Sequence, residues 1–110
     1  MKREERLKTP EQFSLVYNQG ISQANQLLVI RARSNGLNLS RYGISINKRV
    51  GKAVVRNRIK RVLREILRLA SLPPGWDIIL IVRGPAARSD YKQLEKSVFN
   101  LLTRAHIMMK

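Results

Sequence analysis

The segment between residues 41 and 83 restricts the possible folds most, because its hydrophobic period changes twice. Residues 41–47 alternate between larger apolar and smaller or polar side chains, which predicts a strand with one buried face. From residue 53 to residue 70 the apolar side chains recur at three- and four-residue steps, the period of a helix that buries one stripe. Residues 77–83 contain five successive apolar residues, which suits a strand covered on both faces. A strand, a helix and a second strand predict a βαβ unit.

The apolar stripe of this central helix is predicted to be core. Its members are Val55, Ile59, Val62, Leu63, Ile66 and Leu69 or Ala70. Two prolines and a glycine follow within five residues and end the helix.

Clear signals also mark the elements on either side of this unit. A capping box and a proline begin a helix at Thr9, and Gly20 ends it. Leu27–Arg33 is predicted to be a strand, and a last helix is predicted to begin near residues 89 and 90. The order is α-β-β-α-β-α, an α/β (α+β) fold with a small sheet. The length of 110 residues fits a single compact domain, residues 1–110, with a basic N-terminal arm at residues 1–8.

The charge balance indicates a polyanionic partner. Lysine and arginine total 22 against 7 acidic residues, a formal net charge of +15 that a folded domain tolerates best beside nucleic acid. A peptide lying on a membrane surface is also basic, but here the apolar residues are spread over several short segments. No apolar run approaches the ~20 residues of a membrane span, and no apolar stretch follows the N-terminal charges. We therefore expect a nucleic-acid-binding domain that stays in the cytoplasm, where it is made.

Basic residues are concentrated on and just before the central helix. Nine of them are opposed by Glu65 alone: Lys48, Arg49, Lys52, Arg56, Arg58, Lys60, Arg61, Arg64 and Arg68. Five lie at four-residue steps, where each like-charged pair costs about a few tenths of a kcal/mol. The alternative is a solvated polar face, in which glutamates would normally be interleaved. The near absence of acids favours a phosphate-binding face with salt-sensitive affinity.

Asn57 adds a group that a simple run of charges lacks. Its side-chain amide can both donate and accept a hydrogen bond, so it can contact a phosphate, a 2′-hydroxyl or a base edge. The alternative is a cap or a local hydrogen bond of the helix.

The sequence contains few groups that a nuclease would use on its own. There is no cysteine, which excludes thiolate metal sites, and the carboxylates form no convincing pair for two metal ions. A lone histidine near the end of the sequence, His106, is a poor candidate for a general base. A helix-turn-helix DNA reader fits badly because the basic helix follows a strand. The main alternative is a structural RNA-binding protein such as a small ribosomal protein.

The run from Ser45 to Glu65, with Arg56, Asn57 and Arg58 at its centre, closely resembles the signature of the bacterial ribonuclease P protein. The resemblance extends to Arg6-Leu-Lys with Phe13, Tyr17 and Gly20, and to the strand that begins at Asp77. It implies a compact domain similar to domain 2 of ribosomal protein S5, with a left-handed βαβ crossover. The general rule for βαβ units would favour the opposite hand.

The resemblance also implies a division of labour. The protein would be the non-catalytic subunit of ribonuclease P, while the RNA subunit carries out hydrolysis of precursor tRNA and removes the 5′ leader. The protein would bind no cofactor itself, with magnesium held through the RNA, and would act as a monomer beside one RNA. The residues implied to bind the catalytic RNA are Lys48, Arg49, Lys52, Arg56, Asn57, Arg58, Lys60, Arg61 and Arg64.

A cleft between the first helix and the sheet would hold the single-stranded leader. Phe13 and Tyr17 match the family's aromatic positions, where stacking contributes ~1 to 3 kcal/mol per base with little sequence demand. Their alternative role is core packing. Arg31 departs from the pattern, because some relatives carry an aromatic residue there. If it faces the cleft, Arg31 would bind a phosphate or stack its guanidinium plane on a base.

Overall fold

The computed structural model describes residues 6–108, so most of the predicted basic arm lies outside the described residues. Three α-helices and four strands follow each other in the order α1, β1, β2, β3, α2, β4 and α3. Their bounds are α1 Pro10–Gln19, β1 Ile21–Ala24, β2 Leu28–Ser34, β3 Arg41–Ile46, α2 Ala53–Leu69, β4 Trp76–Val82 and α3 Tyr91–Arg104. Short 3₁₀ helices lie at Lys48–Val50 and Gly84–Arg88.

The four strands form one sheet in the order β1-β2-β4-β3. β3 and β4 are parallel neighbours joined through α2, which confirms the predicted βαβ unit. β1 pairs with β2 and β2 pairs with β4, both antiparallel. The left hand of the crossover stays a prediction.

The predicted order of elements was wrong in one respect, because it omitted strand β1. Its four residues, Ile21–Ala24, are mostly exposed and show no alternation of buried and exposed positions. The strand exists because its backbone pairs with β2, from Ile21 opposite Ala32 to Ala24 opposite Val29. A short edge strand of this kind is fixed by backbone pairing with its neighbour, so its side chains need show no hydrophobic pattern.

Both faces of the sheet are covered. α2 and α3 pack on one face over the main core, to which β4 contributes Ile78, Leu80 and Val82. α1 packs on the other face, where Ile79 and Ile81 join a smaller cluster. The prediction that the strand of residues 77–83 is covered on both faces is confirmed.

The helix ends follow the predicted chemistry. The Thr9 side chain accepts from the backbone N–H of Gln12, and the Gln12 side chain accepts from the backbone N–H of Thr9, which completes the capping box. The Gly20 N–H donates to the Val16 carbonyl and closes α1. A Cβ at Gly20 would overlap the carbonyl oxygens of Val16 and Ala32. Because glycine has no Cβ, the chain can pass tightly from α1 into β1 at this position. Asp90 and Gln93 form a second capping box at α3.

The apolar stripe of α2 is largely as predicted. Ile59, Leu63 and Ile66 are fully buried, and Val55 and Val62 are half-buried against the core. Of the two candidates for the last position, Ala70 is buried and Leu69 is 58% exposed. The prediction overlooked Leu67, which is buried to 1% exposure. These contacts hold α2 with one face against the core and its basic face outward.

One buried ion pair ties the beginning of β3 to the beginning of β4. Arg41 donates from Nε and Nη2 to the two carboxylate oxygens of Asp77, at 2.8 and 2.7 Å. Asn35 donates a third hydrogen bond to the same carboxylate. The hydrogen bonds with Asp77 raise the pKa of Arg41. Among residues 6–108, no helix is long and apolar enough to span a bilayer.

Candidate nucleic-acid interface

The outer face of α2 is a continuous basic surface. An α-helix turns about 100° per residue, so residues four apart drift by about 40° and the basic stripe winds across the exposed side. Arg61, Arg64 and Arg68 are exposed, while Arg56 and Lys60 are half-buried at its margin. A winding stripe of this kind can contact several phosphates along a curved RNA backbone.

Asn57 lies near the centre of this exposed side. The N-cap of α2 is Lys52, and no hydrogen bond of the Asn57 side chain is found within the described range. The alternative role of Asn57 as a helix cap is therefore wrong. Its amide is available to a ligand on the outer face.

The two arginines beside Asn57 are fixed to different parts of the protein. Arg56 donates from Nε to the Gly51 carbonyl at 3.1 Å. Arg58 donates from Nη1 and Nη2 to the carbonyls of Ser89 and Ala87, each at 3.3 Å. Both side chains are half-buried. The three-residue centre of the signature thus presents an exposed amide between two guanidinium groups whose positions are restrained.

The segment before α2 extends the basic surface. The side chain of Asn47 accepts from the Arg49 N–H at 2.8 Å and begins the 3₁₀ helix that carries Lys48 and Arg49. Lys48, Arg49 and Lys52 are all exposed. The capped turn brings these three cations to the N-terminal end of α2.

Few of these charges are neutralised by the protein. Within the described range there are two ion pairs, Arg41 with Asp77 and Arg68 with Glu65. The second lies on α2, where the hydrogen bond with Glu65 raises the pKa of Arg68. The eight cations predicted to bind catalytic RNA take part in neither pair, so no ion pair in this range offsets their positive charge.

The residues predicted for the leader cleft lie together on the α1 side of the sheet. Arg31 is paired with Ile79 in β4, which is paired with Gly43 in β3, and laterally paired residues share a face. The ring of Phe13 packs on Gly43, where a Cβ would be 2.7 Å from its Cε1 and Cζ atoms. Tyr17 is 36% exposed one turn further along α1. Phe13 therefore serves partly as core, as its alternative role held, whereas Tyr17 offers its ring to solvent.

Arg31 is held against α1. Its Nη2 donates to the Tyr17 carbonyl at 2.8 Å, and its guanidinium carbon lies 5.5 Å from the centroid of the Tyr17 ring. Its Nε is buried without a hydrogen-bond partner in the described part of the chain. Arg31 thus has one unused donor and a restrained guanidinium plane within this cleft.

Two participants were missed by sequence reasoning. Gly43 gives the Phe13 ring room, and a glycine inside an alternating strand is a signal of close approach. Arg6 pairs with Tyr42 at the free edge of β3. A hollow of about 250 Å³ at this edge is lined by residues that include Arg6, Phe13 and Arg64. It joins the α1 side of the sheet to the basic face of α2.

The described residues bring together no set of groups for hydrolysis. No group of three or more histidine, cysteine, aspartate or glutamate side chains that could hold a metal lies within residues 6–108. Asp77 is committed to its ion pair with Arg41. His106 is exposed after the end of α3, in a left-handed backbone conformation with a φ of 61°. The site is therefore suited to binding RNA, and it has no constellation suited to cutting it.

The fold and these two surfaces define a small α/β RNA-binding domain. The Ribonuclease P family model matches residues 1–106. The ribonuclease P protein component of Dehalococcoides mccartyi is 44% identical over 110 residues, covering 100% of this chain and 92% of the relative. That of Clostridium botulinum is 38% identical over 108 residues, covering 96% and 97%. The chain belongs to the ribonuclease P protein family.

Solved structures agree with this assignment. The RNase P protein of Staphylococcus aureus superposes with a TM-score of 0.87 at 35% identity, covering 94% of this chain and 96% of that one. The RNase P protein of Thermotoga maritima superposes with a TM-score of 0.81 at 37% identity, covering 91% and 96%. The predicted family and fold class are confirmed.

Membership of the family fixes the general role of the chain. It is the non-catalytic protein subunit of a ribonucleoprotein endoribonuclease that acts in tRNA processing, and its partner is ribonuclease P RNA. The family match therefore decides against the alternative of a structural ribosomal protein.

Proposed function

We propose that the two surfaces divide the work of the subunit, with α2 as the dock for the catalytic RNA and the α1 cleft as the site of the precursor-tRNA leader. The observation that carries the proposal is the basic face of α2, on which, among residues 6–108, Glu65 is the one acidic side chain in an ion pair. The docking residues are Lys48, Arg49, Lys52, Arg56, Asn57, Arg58, Lys60, Arg61 and Arg64. Each phosphate that they neutralise releases a condensed counterion, so several contacts give strong, salt-sensitive binding.

The leader site rests on the cleft around Phe13, Tyr17 and Arg31. The exposed ring of Tyr17 supplies a stacking platform for unpaired bases. The guanidinium group of Arg31, held beside the Tyr17 ring, supplies a cation for a phosphate in the same cleft. Because stacking makes little demand on base identity, such a cleft suits leaders of varied sequence.

The chemistry belongs to the RNA in this proposal. Magnesium would be held by the RNA, where it supplies the charge stabilisation that phosphodiester hydrolysis needs. The protein's own contribution is to bind the RNA and orient the leader, which lowers the entropic cost of productive binding. We expect one monomer of the protein with one RNA, in the cytoplasm where precursor tRNA is made.

Stimulation of cleavage tests the proposed function. We expect the purified chain to increase cleavage of precursor tRNA by ribonuclease P RNA at low magnesium, while the protein alone cuts nothing. The measurement is a single-turnover cleavage assay with the RNA alone, the protein alone and the two combined. Absence of stimulation at saturating protein would contradict the proposal.

A further inference from the structure

A further pocket shares no lining residue with either surface described above. It has a volume of about 610 Å³ and lies between the β1–β2 turn, the 3₁₀ helix Gly84–Arg88 and residues 93–100 of α3. Ligand pockets commonly measure about 300 to 1,000 Å³, so it has room for one nucleotide. Arg88 and Lys96 line it, and no acidic residue of the described range does.

Asn25 fixes the orientation of the polar groups in this pocket. Its Oδ1 accepts from the backbone N–H groups of Leu27 and Leu28, at 3.2 and 3.0 Å, and from the Ser97 hydroxyl at 2.8 Å. Its Nδ2 must therefore be the donor, and it donates to Asn100 Oδ1 at 3.2 Å. The amide group of Asn100 is thereby oriented by its neighbour.

The consequence is a pocket wall made of hydrogen-bond donors. Because Asn100 Oδ1 accepts from Asn25, its Nδ2 is the group left for a ligand. Gln93 Oε1 accepts from the Asp90 N–H at 3.0 Å, so Gln93 also presents its Nε2. No hydrogen bond of either NH₂ group is found within residues 6–108. Two cations and two oriented amide donors suit an acceptor-only group, and phosphate is such a group.

The pocket adjoins the basic face of α2. Ser89 lines the pocket, and its carbonyl accepts from Arg58 Nη1 at 3.3 Å. Leu27 and Pro85 add an apolar part of the wall, which suits a ribose or the face of a base. RNA that is bound at the Arg58 end of α2 therefore has a donor-rich pocket beside it.

We infer that this pocket binds one nucleotide of the catalytic RNA through its phosphate, as a contact additional to the α2 dock. Arg88 and Lys96 neutralise the phosphate, and the NH₂ groups of Gln93 and Asn100 donate to its oxygens. The inference goes beyond the proposed division between α2 and the α1 cleft, and neither of those surfaces includes Lys96 or Asn100.

The variant Asn100→Asp tests the inference with minimal disturbance. The carboxylate keeps an oxygen to accept from Asn25, but it replaces the free NH₂ donor by a second oxygen that repels phosphate. We expect the Kd for ribonuclease P RNA to rise about tenfold, the scale of one lost hydrogen bond to a charged group. Asn38→Asp, which makes the same charge change in the exposed turn at the opposite end of β2, should change it less than about twofold.

A parallel variant keeps the failure of this inference distinct from failure of the α2 dock. Arg61→Ala removes a docking charge outside the pocket and should weaken binding in the same assay. If Arg61→Ala weakens binding while Asn100→Asp behaves like Asn38→Asp, the pocket inference is overturned and the dock stands. If Asn100→Asp alone weakens binding, the pocket is supported and the dock is contradicted.

Cross-linking identifies the RNA that occupies the pocket. The sequence has no cysteine, so Lys96→Cys carries the only thiol for a short photoactivatable group. In the assembled holoenzyme with precursor tRNA bound, we expect this probe to cross-link to ribonuclease P RNA. The matched probe at Asn38→Cys should give no such product. Cross-linking to precursor tRNA alone, or to neither RNA, overturns the assignment to the catalytic RNA.

Discussion

Arginine residues of this chain have the same charge, but the fold uses them in different ways. Several donate to backbone carbonyls, and their charge helps to hold the structure together: Arg31 to Tyr17, Arg56 to Gly51, Arg58 to Ala87 and Ser89, Arg83 to Asn25 and Arg104 to Ala24. Arg61 and Arg64 are exposed and have no ion pair within the described range. Net charge therefore indicates the class of partner, while side-chain hydrogen bonds show which arginines also stabilise the fold.

This difference predicts separate effects for two arginines of α2. Arg58→Ala removes donors from two carbonyls, so it should lower the free energy of unfolding by about 1 kcal/mol and also weaken RNA binding. Arg61→Ala should leave the free energy of unfolding unchanged. It should reduce the slope of log Kd against log salt concentration by about 0.7 to 0.9 for one lost phosphate contact.

Denaturant unfolding and RNA titration at several salt concentrations measure these quantities. Equal free energies of unfolding for the two variants would contradict the anchoring role of Arg58. An unchanged salt slope in Arg61→Ala would contradict its contact with phosphate.

At the scale of elements, long segments with a strong period were predictable. The expected helix from residue 53 to residue 70 corresponds to α2 Ala53–Leu69. It was predictable because its apolar stripe and the prolines that follow it are both visible in the local sequence. The expected strand Leu27–Arg33 differs from β2 Leu28–Ser34 by one residue at each end. β1 was missed because its four mostly exposed residues carry no hydrophobic period, although its partner β2 follows only a few residues later in the chain.

The candidate site was predictable in its residue types and less so in its contacts. Composition identified the basic face, and the resemblance supplied Phe13 and Tyr17. Two contacts depend on how α1 crosses the sheet: Phe13 packs on Gly43, and Arg31 donates a hydrogen bond to the Tyr17 carbonyl. The pocket beside Asn25 brings the β1–β2 turn to α3, and the hydrogen bond between Asn25 and Ser97 joins residues 72 positions apart. Contacts between residues so far apart in the chain cannot be predicted from a local sequence pattern.

The junction of β3 and β4 gives a prediction about stability. Asp77→Asn removes the charge that holds Arg41, leaving a guanidinium whose side chain is 19% exposed beside a buried amide. Breaking a buried ion pair in this way should cost about 3 kcal/mol of the free energy of unfolding. Chemical denaturation of the free protein measures the loss.

The exposed pair on α2 provides the control for Asp77→Asn. Glu65→Gln breaks the pair with Arg68 in a solvent-exposed place and should leave the unfolding midpoint unchanged within error. A midpoint for Asp77→Asn that matches Glu65→Gln would show that the buried pair does not stabilise the sheet.

At the scale of the whole molecule, one sheet separates the two surfaces that we propose to bind RNA. α2 and the pocket beside α3 lie on one side, while the cleft of Tyr17 and Arg31 lies on the other. The described molecule measures 36 × 32 × 25 Å along its principal axes, so a single RNA assembly can contact both sides. The hollow lined by Arg6, Phe13 and Arg64 lies at the edge of β3, between these two surfaces.

The dependence of cleavage on leader length tests this division most directly. Tyr17→Ala removes the exposed ring but keeps the backbone carbonyl that holds Arg31. In the holoenzyme at saturating protein, it should reduce the kcat/KM advantage of a long-leader precursor over one with a single-nucleotide leader by about 5-fold or more, the loss of one stacked base. Arg61→Ala should instead weaken assembly with the RNA and leave that advantage unchanged. An equal loss for both precursors in Tyr17→Ala would contradict the account.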